Sequence, residues 1–223
     1  MQKRFFFVFL FSLFLSCAVQ GADPPRELRV LCYNIHIAIG MDNKLDIERT
    51  AKLINEQKAD LVALQEVDRN AKRTEKQDQP ALLEKLTGLK AVFGKTVAFA
   101  NGGEYGIAVL SRFPVKEQKM TQLPQQKGQE DRGLLETVVE LDGKTQIRFC
   151  CTHFCHISDE RRTLQADKVN ELLASNDVLT ILAGDFNAEP ESNAIKTILR
   201  QWTDATDRTA TFSSTDPKIK IDY

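Results

Sequence analysis

Val178-Leu179-Thr180-Ile181-Leu182-Ala183-Gly184-Asp185-Phe186-Asn187 is an apolar run that ends in polar residues. Val178–Ala183 reads as a buried strand, and Gly184–Asn187 reads as a turn at its end. Such a strand belongs in a sheet covered by helices. Its polar end, Asp185 and Asn187, stands where α/β proteins gather their sites.

The chain on either side repeats the alternation of strand and helix. Arg29–Ile35 and Leu61–Val67 are apolar and β-branched and read as strands. Between them a Gly40–Lys44 loop leads to Asp46, which can cap a helix running to about Lys58. Gln79–Thr87 reads as a short helix closed by Gly88, and Tyr105–Ser111 as a strand broken by Phe113-Pro114. Leu134–Leu141 and Thr145–Thr152 predict a hairpin around a two-residue Asp142-Gly143 turn. Ser158 is placed to cap a helix to about Ala174, Glu191–Gln201 reads as helical, and Lys218–Tyr223 as a last strand. Interleaved elements with an antiparallel hairpin indicate a mixed α/β fold.

The chain has 223 residues, 42% hydrophobic and 27% charged, which is enough for one sizeable core and excludes a collagen-like or disordered chain. Thirty Lys and Arg stand against 31 Asp and Glu, so no global positive charge draws the protein to nucleic acid. Lys3 and Arg4 precede an apolar run from Phe5 to Leu15, too short to span a bilayer. Residues 1–21 therefore read as a signal peptide cut near Gly21, residues 22–27 as a linker, and 28–223 as the domain. The protein is expected to be exported, to the periplasm or outside the cell. Cys17 after Leu15-Ser16 loosely resembles a lipoprotein box and offers an anchored alternative. Cys32, Cys150, Cys151 and Cys155 remain; they can pair after export or stay as buried thiols.

Polar residues recur at strand ends: Asn34, Gln65-Glu66, Thr152-His153, Asp185 and Asn187. Singly, each has an ordinary explanation as a cap, a turn residue or a satisfied histidine. Asp222, between Ile221 and Tyr223, needs a partner if it lies on a strand. As a set, these carboxylates, amides and an imidazole suit a hard divalent cation and a phosphoryl substrate.

Six motifs occur in order: Tyr33-Asn34-Ile35, Leu64-Gln65-Glu66, Gly106 to Arg112, Thr152-His153, Gly184-Asp185-Phe186-Asn187 and Ile221-Asp222-Tyr223. In them the chain resembles the endonuclease/exonuclease/phosphatase superfamily from Leu28 onward. The resemblance implies a four-layer α-β-β-α sandwich of two mixed sheets, and phosphoester hydrolysis with Mg²⁺, Mn²⁺ being the alternative metal. It implies that Glu66 ligates the metal with help from Asn34. Asp185 would orient or deprotonate the attacking water, Asn187 and His153 would donate to the phosphoryl oxygens, and Asp222 would orient a later histidine. Tyr105 and Arg132 are candidates for lining the substrate entrance, or for simple packing and surface charge. The family closes its site with a Ser-Asp-His element after the Ile-Asp-Tyr strand, and this sequence ends at Tyr223 before one. The expectation is a domain short of its C-terminal strands by roughly 30 residues, with weak activity as it stands.

The expected activity is phosphodiester hydrolysis on a lipid head group or small phosphodiester, as in sphingomyelinase-like members. The rivals are a secreted nuclease and an inactive binding protein on the same fold. No obligate protein partner is evident, and a monomer is expected.

Overall fold

A computed structural model describes residues 27–125, 128–175 and 177–223. The predicted signal peptide, the Cys17 anchor and all but the last residue of the linker lie outside these. The elements are β1 (Val30–Asn34), α1 (Ile47–Gln57), β2 (Leu61–Arg69), α2 (Gln79–Thr87), β3 (Lys90–Ala98), β4 (Glu104–Ser111), β5 (Val115–Gln122), β6 (Gly133–Glu140), β7 (Gln146–His153), α3 (Asp159–Leu172), β8 (Thr180–Asp185) and α4 (Asn193–Ile198).

The strands form two four-stranded sheets, ordered β1-β2-β4-β3 and β5-β6-β7-β8. Each sheet is mixed, with one parallel pair, β1 beside β2 and β7 beside β8. Helices α1 and α3 are the crossovers of these two pairs, as a parallel connection requires. Three apolar clusters fill the three interfaces of four layers. Ile47, Ala51, Ile54 and Leu83 of α1 and α2 pack on Val62, Leu64 and Leu110 of the first sheet. Leu61, Ala63, Ile107 and Val109 meet Leu135, Phe149 and Cys151 between the sheets. Ala166, Val169 and Ile195 of α3 and α4 cover Leu134 and Cys150. This is the predicted four-layer sandwich.

The expected caps are in place. Asp46 Oδ1 accepts from Arg49 N at 2.8 Å, and Ser158 Oγ from Arg161 N at 3.3 Å. Gly88 ends α2 with a φ of 73°, the left-handed region that glycine enters without a Cβ penalty. Several boundaries differ from expectation. β8 runs through Asp185, so Gly184 and Asp185 are strand residues and only Asn187 turns. A Cβ on Gly184 would collide with the Thr152 carbonyl, so glycine is what lets β8 lie this close to β7. The β6–β7 loop is longer than two residues: Leu141 still pairs with Thr145, and Asp142 Oδ1 accepts from Lys144 N and Thr145 N. Helix α4 is only Asn193–Ile198, capped by Ser192. Lys218–Tyr223 forms no full strand; it lies antiparallel to β8 through an Asp185–Asp222 bridge and hydrogen bonds joining Tyr223 to Gly184 and Phe186 to Ile221.

The pattern of apolar residues did not reveal β3 or β5. Both are edge strands, and β5 (Val-Lys-Glu-Gln-Lys-Met-Thr-Gln) is polar along most of its length, which keeps an open edge from pairing with other chains. Cys32, Cys150, Cys151 and Cys155 are free thiols. Cys150 and Cys151, adjacent on β7, fall in different clusters because successive strand residues face opposite sides. Among the described residues no helix is long and apolar enough to cross a membrane.

Candidate active site

The carboxyl ends of the two parallel pairs meet, β1 lying against β8. They bring Asn34, Glu66, His153 and Asp185 together. β2 carries a bulge between Leu64 and Val67, which sets two residues, Gln65 and Glu66, against the single Ile107 of its partner. Gln65 turns inward and is fully buried, bridging the sheets to the Cys32 and Cys151 thiols. Glu66 takes a left-handed φ of 57° and points into the site. Asn187 does the same beyond β8, with a φ of 48°. Non-glycine residues hold that conformation only where the surrounding structure enforces it, and such positions concentrate at functional sites.

Asn34 joins the two halves. Its Nδ2 donates to Glu66 Oε1 at 2.9 Å and to Asp185 Oδ2 at 3.1 Å, while its Oδ1 accepts from His36 N at 3.0 Å. The two carboxylates require a donor and the backbone N–H requires an acceptor, which fixes the amide orientation. Asn34 is thus a strut that sets the spacing of two acids. Asp185 Oδ1 accepts from Asn187 N at 2.9 Å, and Asn187 Nδ2 donates to the Phe154 carbonyl at 3.1 Å. His153 sits in register with Asp185 across β7 and β8, its Nε2 at 3.7 Å from Asp185 Oδ2.

Burial and the Asp222 charge push Asp185 up to about 6, against the amides of Asn34 and Asn187 that lower it; Glu66 adds a further raising charge. Asp222 is raised by burial and eased by the Thr211 hydroxyl. Burial, Arg132 and His156 hold His153 well below the ordinary imidazole value, so it is neutral. Among the described residues, no three His, Cys, Asp or Glu side chains group into a closed metal cage. Mg²⁺ does not need one, because it keeps several waters and takes one or two carboxylates. The carboxylates of Glu66, Asp185 and Asp222 fit such an ion: they are oxygen donors, and the charges of Asp222 and Glu66 on Asp185 leave a deficit that a cation would offset.

Tyr105 and Arg132 are both buried. Burial and the Glu66 charge raise the Tyr105 phenol, and Arg132 opposes them. Arg73 lies over the Tyr105 ring, 5.0 Å from its centroid. Arg132 stands behind His153, with Nη1 at 3.0 Å from His153 Nδ1, Nη2 at 3.3 Å from His156 Nδ1, and Glu130 paired to Nη1. Sequence reasoning gave no role to Thr211, Glu130 or His156, and took Gln65 only as a strand-end residue beside Glu66. Glu130 and His156 lie close to Arg132 and His153 in the chain, which is the local signal that could have found them. The surface grooves between α1 and α2 and between α3 and α4 lie on the outer helical faces, away from these strand ends.

The sequence profile of the Endonuclease/Exonuclease/phosphatase family matches residues 31–223. An endonuclease/exonuclease/phosphatase from Beutenbergia cavernae DSM 12333 is 27% identical at a TM-score of 0.65, over 77% of this chain and 52% of that one. This chain thus spans about half the length of that relative. A mannosyl-6-phosphatase from Bacteroides thetaiotaomicron VPI-5482 shares the fold at 18% identity and a TM-score of 0.62, over 78% of this chain and 71% of that one. Sphingomyelinase C from Streptomyces griseocarneus does so at 18% identity and 0.63, over 88% and 82%. With that match over nearly the whole described chain and the same layered fold, this protein belongs to the endonuclease/exonuclease/phosphatase family, whose members are hydrolases acting on phosphoesters.

Proposed function

We propose that the protein is an exported, Mg²⁺-dependent phosphodiesterase acting on a lipid head group or a small phosphodiester. The observation that carries this reading is the Asn34 amide holding Glu66 and Asp185 side by side, with neutral His153 on the flank of Asp185. Glu66 would hold the metal, with Asp185 close by. Bound there, Mg²⁺ supplies Lewis-acid polarisation of a phosphoryl oxygen. Asp185, near 6, is ionised at neutral pH and basic enough to take the proton of an attacking water. His153 Nε2–H and the second Nδ2 hydrogen of Asn187 donate to the phosphoryl oxygens as charge builds.

A diester carries one negative charge and a monoester about two. The acidic site, with its arginine set behind a histidine, suits the smaller charge. The sphingomyelinase and phosphatase neighbours support phosphoester chemistry at large. The balance of 30 basic and 31 acidic residues disfavours a nuclease. Lys3, Arg4 and the Phe5–Leu15 run support export.

The test is turnover of bis(p-nitrophenyl) phosphate by the full-length gene product with Mg²⁺, compared with p-nitrophenyl phosphate and with EDTA. Metal-independent turnover, or turnover that survives both Glu66→Gln and Asp185→Asn, defeats the reading. A panel of sphingomyelin, inositol phosphates and DNA then assigns the substrate. Amino-terminal sequencing of the native protein, beginning at Met1, would defeat export.

A further inference from the structure

Arg132 lies on no strand, one residue before β6, and its guanidinium is buried. Five N–H donors and no acceptor make a guanidinium a one-way partner. Nη1 stands 3.0 Å from His153 Nδ1 and Nη2 stands 3.3 Å from His156 Nδ1, while Glu130 and Tyr105 hold the group in place. A nitrogen facing this guanidinium at hydrogen-bond distance must offer a lone pair. For His153, a neutral ring, that leaves the single proton on Nε2. Nε2 is the atom that faces Asp185 Oδ2.

We propose that Arg132 is a positioning residue that locks His153 in its Nε2–H tautomer, so that the imidazole enters the site as a hydrogen-bond donor. Without that lock, a neutral imidazole places its proton on either nitrogen. In the other tautomer, Nε2 would present a lone pair to the Asp185 carboxylate and to any phosphoryl oxygen, repelling both. The clamp also explains why an arginine is buried behind a histidine that is itself neutral: the contact is a hydrogen bond to a ring nitrogen, not an ion pair. The same fork points one N–H at His156, which receives the same assignment. The role in turnover rests on the function proposed above; the tautomer does not.

Long-range proton–nitrogen spectra of the ¹⁵N-histidine-labelled 223-residue chain at neutral pH test the tautomer directly. We expect His153 Nδ1 to resonate as an unprotonated nitrogen and Nε2 as a protonated one. A protonated Nδ1, or a ring averaging between tautomers, overturns the proposal whether or not the protein is an enzyme. In Arg132→Met the ring should become a tautomer mixture, and Arg132→Lys, which still donates, should restore Nε2–H. A fixed Nε2–H tautomer in folded Arg132→Met shows that another group sets it and sinks the idea. If Arg132→Met does not fold, the wild-type and Arg132→Lys spectra decide. In the full-length protein, Arg132→Met should lower kcat for bis(p-nitrophenyl) phosphate by roughly 10- to 100-fold with KM within about twofold. A change confined to KM would make Arg132 a substrate contact instead.

Discussion

Asp68 and Asp185 are both buried aspartates at the carboxyl ends of strands, and their surroundings are opposite. At the end of β2, Asp68 takes two bonds from the Arg73 guanidinium at 2.8 Å each, one from the Thr74 hydroxyl, and none of its side chain is exposed. Its charge is matched. At the end of β8, Asp185 receives only amide donors, and its charged neighbours are Asp222 and Glu66. The first arrangement is how a fold stabilises a buried carboxylate. The second keeps acids close without a matching cation, which supports the metal site proposed above.

The sharpest way to break this contrast is by activity. Asp185→Asn and Glu66→Gln should each lower kcat by about 10³-fold, or ~4 kcal/mol. Asp68→Asn should leave turnover per folded molecule within about twofold. Equal losses in all three would erase the distinction between the two regions.

Stability should move the other way. Asp68→Asn leaves Arg73 without its counter-charge and should cost about 2–3 kcal/mol by urea unfolding, the half-exposed guanidinium keeping the loss below that of a fully buried pair. Asp185→Asn should instead stabilise the metal-free protein at pH 7 by about 2 kcal/mol. The sign follows from the raised folded value. An acid that binds its proton more tightly in the fold contributes stability below its unfolded value of 3.8, and that contribution disappears as pH climbs through about 6. The stability difference between Asp185→Asn and wild type should therefore grow across pH 4 to 6 and then level. His153, depressed in the fold, loses its contribution as pH falls, but it is common to both chains and drops out of the difference. A flat difference curve would mean that Asp185 is already neutralised by something else.

Metal should give the smallest effect. Mg²⁺ at ten times its Kd should stabilise the wild type by about 1.4 kcal/mol, and EDTA should reverse the shift. Asp68→Asn should keep that increment and Glu66→Gln should lose it. A Mg²⁺ shift that persists in Glu66→Gln would move the ion elsewhere.

Much of this was legible in the sequence. The strand Val178–Ala183, the caps Asp46 and Ser158, and the polar ends of β1, β2, β7 and β8 were read from local patterns, because apolar periodicity and capping act over a few residues. β3 and β5 were not legible, since an edge strand needs no apolar pattern on its open side. The Asp142-Gly143 signal gave the right place for a turn and the wrong length, because Lys144 joins them between the paired Leu141 and Thr145.

The sequence by itself determined the layer architecture, the family resemblance and which acids, amides and histidines stand at strand ends. Only the tertiary structure decided what they do to one another. Asn34 and Asp185 lie 151 residues apart in the chain and share one hydrogen bond. Glu66 reaches them because a bulge rotates it, and Arg132 sits behind His153. Strand ends are set by local chemistry, but the direction of a side chain, the tautomer of a ring and the charge on a buried acid depend on neighbours that the chain brings from far away.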